Sequence, residues 1–229
     1  MNISIIIPTY NEAENIGRLI NYLQQHSTGT PTEIIVTDGG SSDATIAIAR
    51  QAGANAVLSP QKGRAGQMNY GATLTTGDVL YFIHADTFPP TSFVTDITEA
   101  IQAGYGLGRY YSKYDTKKWV LKINELFTRF DFFIGYGGDQ TLFITGALFN
   151  EINGFDSTMK IMEDFDITTR AKLKAKYKII PKAALISARK YDKNSWWKVL
   201  MANREIVKMY KQGASQNAMA MRYKAVLNY

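Results

Sequence analysis

Val79-Leu80-Tyr81-Phe82-Ile83-His84-Ala85-Asp86-Thr87 is an apolar run that ends abruptly in a carboxylate. Five consecutive apolar or aromatic residues, with Gly77-Asp78 before them and Pro89-Pro90 soon after, predict a strand buried on both faces. A charge at the tip of such a strand has a use where the tip opens into a cleft. In open α/β sheets ligands bind at the carboxyl ends of the strands, and Asp86 falls just past that end. Its plainer role is to cap the next helix or turn. Two further carboxylate sites and a basic loop weigh against that role, and Asp86 is the first candidate functional residue.

Upstream, the same unit recurs. Residues 3–7 form a short β-branched strand stopped by Pro8, and Ile16, Leu19, Ile20 and Leu23 follow at helical spacing after Asn11-Glu12-Ala13-Glu14-Asn15. Residues 33–37 predict a second strand, and Asp38-Gly39-Gly40-Ser41-Ser42-Asp43 opens a helix reaching Ala52. Residues 55–58 form a third strand; Lys62-Gly63-Arg64-Ala65-Gly66 then leads into a helix carrying Met68, Ala72 and Leu74. With the strand before Asp86 as the fourth, these alternations predict an α/β fold, a parallel sheet with helices on both faces.

Downstream, the rhythm loosens. Residues 91–103 look helical and 105–111 extended; Trp119, Ile123, Phe127, Phe130 and Ile134 mark one helical stripe, with Lys118, Lys122, Glu125 and Arg129 on another. Gly135-Tyr136-Gly137-Gly138-Asp139-Gln140 reads as a flexible loop before a strand at 142–144. Glu163 begins a further helix, 178–180 is a strand, and 194–212 a last helix. No internal repeat or linker interrupts the chain, which predicts one domain over residues 1–229, with a nucleotide-binding-like half at 1–103 and a divergent half at 104–229.

Composition narrows the partners. Lys plus Arg number 26 against 20 Asp plus Glu, a net charge of +6, which points to an anionic partner: a phosphorylated substrate, nucleic acid or an acidic membrane surface. No basic run interleaves with aromatics, so nucleic acid is not expected. The absence of cysteine removes disulfides and thiolate metal sites, and two histidines are too few for a His-rich one. The first residues carry no leader pattern, and no apolar stretch is long enough to span a bilayer, so a cytoplasmic location is the expectation. Trp119, its helical stripe and Trp196-Trp197-Lys198 also suit helices lying at the inner membrane face. Core packing or a homo-oligomer interface is the alternative use of both.

Three places carry candidate chemistry besides Asp86. Asp38 is a carboxylate straight after an apolar strand; Gly39-Gly40 allow a tight turn, and Ser41, Ser42 or Asp43 can cap the next helix, leaving Asp38 to accept from a base N–H or a ribose hydroxyl. Lys62, Arg64, Gln67 and Asn69 cluster around glycines at a helix start, which suits a diphosphate, with a solvated basic loop as the bland reading. Neither the dinucleotide G-x-G-x-x-G nor the P-loop pattern is present. Glu163-Asp164-Phe165-Asp166 places three acids at a helix start, where the helix dipole favours them; one pointing outward can serve as a general base.

In order and spacing, Ile5-Ile6-Ile7-Pro8-Thr9-Tyr10-Asn11-Glu12, Val36-Thr37-Asp38-Gly39-Gly40-Ser41-Ser42-Asp43, His84-Ala85-Asp86 and Glu163-Asp164 resemble the GT-A glycosyltransferases of family 2 over residues 1 to about 190. Gly63-Arg64-Ala65-Gly66-Gln67-Met68-Asn69 before His-Ala-Asp-Thr resembles a small bacterial subgroup of that family. The resemblance implies a nucleotide-diphospho-sugar transferase fold, three-layer α/β/α with a mostly parallel sheet. It implies a nucleotide-sugar donor, UDP-linked, and transfer with inversion to an acceptor hydroxyl. Pro8, Tyr10 and Glu12 would line the nucleotide pocket, Asp38 would contact the base, and Asp164 would be the catalytic base. Asp86 matches the last Asp of the D-x-D motif, which holds Mn²⁺ or Mg²⁺ on the diphosphate; His84 stands where the first Asp would be, and imidazole is a weak ligand for Mg²⁺. Arg189-Lys190-Tyr191 matches the family's Q-x-x-R-W motif poorly and is set aside. Two other readings compete: a nucleotidyltransferase, which would need a glycine-rich loop in place of Pro8-Thr9-Tyr10-Asn11, and a sugar-nucleotide-binding module without catalysis.

Overall fold

The computed structural model describes residues 1–27, 29–30, 32–131 and 141–227. β1 (Ile3–Thr9) is buried along its whole length. Successive side chains of a strand point to opposite faces, so Ile5 and Ile7 enter one apolar cluster and Ile6 another. β2 (Thr32–Asp38), β3 (Asn55–Leu58) and β4 (Val79–Phe82) extend a parallel block in the order β3-β2-β1-β4. Three helices connect these strands: α1 (Ile16–His26), α2 (Thr45–Gln51) and α3 (Arg64–Thr73). Ile16, Leu19, Ile20 and Leu23 of α1 and Ala49 of α2 pack on the first face; Ala65 and Met68 of α3 pack on the second. The approach of α3 is close. A Cβ added at Gly71 would lie 2.5 Å from Ile6 Cγ2.

The remaining elements are β5 (Thr87–Phe88), α4 (Phe93–Gln102), β6 (Leu107–Tyr114), α5 (Leu121–Phe127), β7 (Leu142–Thr145), α6 (Gly146–Glu151), α7 (Glu163–Lys172), β8 (Tyr177–Ile186), α8 (Lys190–Lys193), α9 (Trp196–Lys211) and α10 (Gln216–Val226). They complete an eight-stranded sheet, β3-β2-β1-β4-β7-β6-β8-β5, in which both halves of the chain share one hydrogen-bonded surface. The sheet is mostly parallel, but β7 runs antiparallel to both β4 and β6, and β5 runs antiparallel to β8. Phe93 and Ile97 of α4 cover the first face, and residues of α6 and α7 the second, giving three layers. Beyond them, α9 and α10 contribute to two smaller clusters. Among the described residues no helix is long and apolar enough to cross a membrane.

Four local expectations need correction. The strand expected at 178–180 is ten residues long and passes through Pro181. It does so because the register shifts there: Tyr110 pairs with Ile180 and Tyr111 with Ala183, so Pro181-Lys182 form a bulge where no ladder N–H is needed. The turn after Asp86 runs into β5, a strand of two residues and too short to show as a period. Gln216–Val226 is a helix absent from the sequence expectations, with Ser215 accepting from the Ala218 N–H at its start. The stripe from Trp119 is not a long core helix: α5 spans Leu121–Phe127, and Trp119, Ile123, Phe127 and Phe130 face solvent. Leu121 and Thr128 turn inward, and Arg109 donates to the carbonyls of Thr128 (2.7 Å) and Phe130 (3.3 Å). Ile134 and the loop at 135–140 lie outside the described residues.

Candidate active site

The carboxyl ends of β1, β2 and β4 open on one edge of the sheet, with β1 between the other two. Asp38 and the turn carrying Asp86 therefore flank the end of β1, about 10 Å apart at a strand spacing of about 4.8 Å. Asp38 itself is fully buried. Its Oδ1 accepts from the N–H groups of Gly40 (2.9 Å) and Ser41 (2.6 Å), and its Oδ2 from the hydroxyls of Ser41 (2.5 Å) and Thr9 (3.0 Å). The turn thus does account for Asp38: the carboxylate closes the loop it begins, with its lone pairs directed at the protein. Gly40, at φ 96°, supplies the left-handed step this closure needs. Asp43 accepts from the Thr45 N–H (3.0 Å) and the Ala13 N–H (3.2 Å), pinning the helix start to the neighbouring loop. Asn11 joins the same two loops, donating its N–H to Ser41 Oγ (2.7 Å) and accepting from the Ser42 N–H (2.9 Å).

Gln67 and Asn69 serve the joints of the site. Gln67 Nε2 donates to the carbonyls of Thr9 (2.8 Å) and Thr37 (2.7 Å), so α3 clamps the ends of β1 and β2 from below. Asn69 Nδ2 donates to Phe155 O (2.7 Å) while its Oδ1 accepts from Phe155 N (2.9 Å), which anchors the loop leading to α7. Pro8 is buried within β1, paired with Thr37. Tyr10, one residue past the strand, is 62% exposed, and Lys62 is exposed on the loop before α3.

A second cluster forms around Arg189. Its guanidinium grips Glu12 with both nitrogens, Nη1 at 3.0 Å from Oε2, and Nη2 also lies 3.1 Å from Asp86 Oδ2. Sheet register puts it there. β5 pairs with the end of β8, Thr87 against Ile186, and the Ser187 N–H donates to Asp86 O at 3.2 Å. This main-chain bond carries the segment after β8 back over the Asp86 turn. Sequence reasoning missed Arg189 because the strand was expected to end at residue 180, whereas β8 runs to Ile186 and brings Arg189 three residues past its end. His84, half-buried, accepts from the Thr87 N–H through its carbonyl (3.1 Å), which folds the turn that presents Asp86.

A third cluster joins the starts of α3 and α7. Arg64 Nε lies 2.8 Å from Glu163 Oε1, and Glu163 is 2% exposed, its Oε2 without a hydrogen-bond partner among the described residues. Asp166 pairs instead with Arg170 (2.6 Å), which also donates to the carbonyls of Ile152 and Gly154. Asp164 stands half-buried between them at the helix start. The three acids thus have separate surroundings: Glu163 faces the basic loop and Asp166 braces the helix. The helix enters through Met162 at φ 71°, a left-handed conformation uncommon for a side chain of this kind.

A divalent cation would find two carboxylates here, Asp86 and Glu12, both in contact with the Arg189 guanidinium, with His84 nearby in sequence. Among the described residues no group of three or more His, Cys, Asp or Glu could hold a metal. This donor set fits a cation that arrives with a diphosphate, which supplies further oxygens, better than a resident protein cage.

The chain is similar to known proteins in fold and in sequence. The chain matches S. aureus TarS (residues 1–349, in complex with UDP-GlcNAc) with a TM-score of 0.68 and 20% identity, over 82% of this chain and 59% of that one. It matches glucosyl-3-phosphoglycerate synthase from Mycobacterium tuberculosis, in complex with Mn²⁺, UDP and glucosyl-3-phosphoglycerate, with a TM-score of 0.62 and 20% identity, over 93% and 80%. These likenesses show the GT-A fold. Residues 4–155 match the model for glycosyl transferase family 2, and the chain belongs to that family. Among curated relatives, glucosyl-3-phosphoglycerate synthase of Mycolicibacterium smegmatis is 31% identical over 96 residues, 38% of this chain and 32% of that protein. The chain spans well under half the length of the first curated relatives it matches.

Proposed function

We propose that this chain transfers a glycosyl group from a nucleotide-diphosphate sugar, UDP-linked, to an acceptor hydroxyl with inversion. The observation that carries the reading is the convergence of Glu12, Asp86 and Arg189 on the carboxyl edge of β1 and β4, in a chain of family 2. Residues 1–103 would hold the donor and 104–229 the acceptor within one unit. The chain's His84-Ala85-Asp86 would be its form of the D-x-D motif.

Exposed Tyr10 would pack on the base, while Asp38 shapes the loop that receives it. Arg64 and Lys62 would face the diphosphate from the start of α3, where backbone N–H groups also favour an anion. Asp86 would hold a divalent cation, whose charge neutralises the diphosphate when bound. Arg189 would then exchange its contact with Asp86 for one with the donor. Asp164 would take the proton from the acceptor hydroxyl as its oxygen bonds to the anomeric carbon. The bond from that carbon to the diphosphate breaks on the opposite side, so UDP leaves with the electron pair and no enzyme nucleophile is needed.

The test is UDP release from a panel of UDP-sugars, with and without Mn²⁺, after thermal shift has identified which donor binds. Turnover of a bound donor supports the reading. Binding of a donor with no release in the presence of any hydroxyl acceptor favours a sugar-nucleotide-binding module instead.

A further inference from the structure

We propose that the outward faces of α5 and the first turns of α9 form a surface that docks on an anionic lipid bilayer. Trp119, Ile123, Leu126, Phe127 and Phe130 recur at helical spacing, and the side they share is the exposed one: Trp119 is 71% and Phe127 56% exposed. Trp197, 62% exposed, stands on α9 with Met201 one turn further on. The two helices touch. Leu121 of α5 packs in one cluster with Val199 and Ala202 of α9, and Trp196 Nε1 donates to Asn124 Oδ1 at 3.1 Å. Five large apolar side chains on one side of residues 119–130 exceed the scattered exposure that needs no explanation.

The charges around the patch select the occupant. Lys117, Lys122 and Lys193 are exposed at its rim. Two of the acids nearby are engaged, Asp192 with Lys118 (2.8 Å) and Asp131 with Lys172 (2.6 Å), while Asp115 is exposed beside Lys117. A twofold contact with a second copy would set this basic rim against itself, since such an interface joins the same patch on both subunits. An anionic bilayer offers both an apolar layer for Trp, Phe and Leu and negative headgroups for the lysines. A recess of about 340 Å³ opens between residues 118–121 and 191–196, lined by Lys193, Ser195, Trp196 and the Lys118–Asp192 pair. Trp side chains also favour the headgroup level of a bilayer.

The experiment is vesicle co-sedimentation of the full chain, with phosphatidylcholine alone or mixed with phosphatidylglycerol. Binding is expected to the mixed vesicles at low salt, with a blue shift of tryptophan fluorescence, and to weaken as salt rises. Trp119→Ser with Phe127→Ser, and separately Trp197→Ser, should each weaken binding about tenfold or more while leaving the unfolding midpoint unchanged, since these side chains are exposed. Lack of binding to the mixed vesicles at low salt overturns the proposal. So does equal binding by the aromatic variants, which would leave charge alone as the cause. A dimer that the same substitutions convert to monomer also overturns it, because a second copy would then cover the face.

Discussion

Arg189 bridges Glu12 and Asp86: the guanidinium that holds Glu12 with two nitrogens stands 3.1 Å from Asp86 Oδ2. The carboxylate assigned to a cation is thus already facing a positive charge. Competition between the two sets the first expectation. Arg189→Gln should tighten Mn²⁺ binding at Asp86, by a factor of about ten for the loss of one partly exposed charge at this distance, and should weaken donor binding. Calorimetry with Mn²⁺ and then with UDP separates the two effects. Unchanged Mn²⁺ affinity together with unchanged UDP affinity removes Arg189 from the site.

The acids at the start of α7 should separate in kinetics. Asp164→Asn should keep donor binding and lower single-turnover transfer about 10²–10⁴-fold, the usual cost of a lost general base. Asp86→Asn should weaken donor binding as well. Glu163→Gln cuts a buried contact to Arg64, so its effect is larger than a helix-dipole loss: about 1–2 kcal/mol of stability, with a raised KM for the donor. Wild-type transfer by Asp164→Asn would assign the base elsewhere.

Asp38→Ala should act on stability first. The carboxylate accepts four hydrogen bonds from Thr9, Gly40 and Ser41, and leaving those donors unmatched should cost about 2–4 kcal/mol. Urea unfolding measures it. A variant of full stability with weakened UDP binding would return Asp38 to direct contact with the base.

Glu33 gives a pH dependence. Burial opposes its charge, but hydrogen bonds from Ser4, Thr76 and Gly77 outweigh burial and hold the carboxyl below its ordinary value of 4.5. A depressed folded pKa contributes stability above the unfolded value and loses it as pH falls through the folded one. Glu33→Gln should therefore be less stable than wild type at pH 7, and the gap should close as pH falls below about 4. Urea midpoints at the two ends of that range check it; a gap that stays constant with pH would assign the loss to packing.

The sequence by itself determined the parallel half of this protein. The β-branched run Ile5-Ile6-Ile7 and the apolar run Val79-Leu80-Tyr81-Phe82, each bounded by proline or glycine, specify buried strands through local pattern alone, and the carboxylates just past the strands follow from the same reading. What a residue does at that edge depended on partners far along the chain. Asp38 and Asp86 look alike in sequence, yet one is closed in by its own turn and the other meets Arg189, which belongs to the far end of the chain and arrives only because β5 pairs with β8. The insertion of β7 antiparallel to β4 and the passage of β8 through Pro181 are likewise settled by long-range pairing, which carries no local period. The stripe from Trp119 marks the same boundary. Periodicity set which residues share a side of the helix, but only tertiary packing decided that Leu121 turns to the core and Trp119 to solvent.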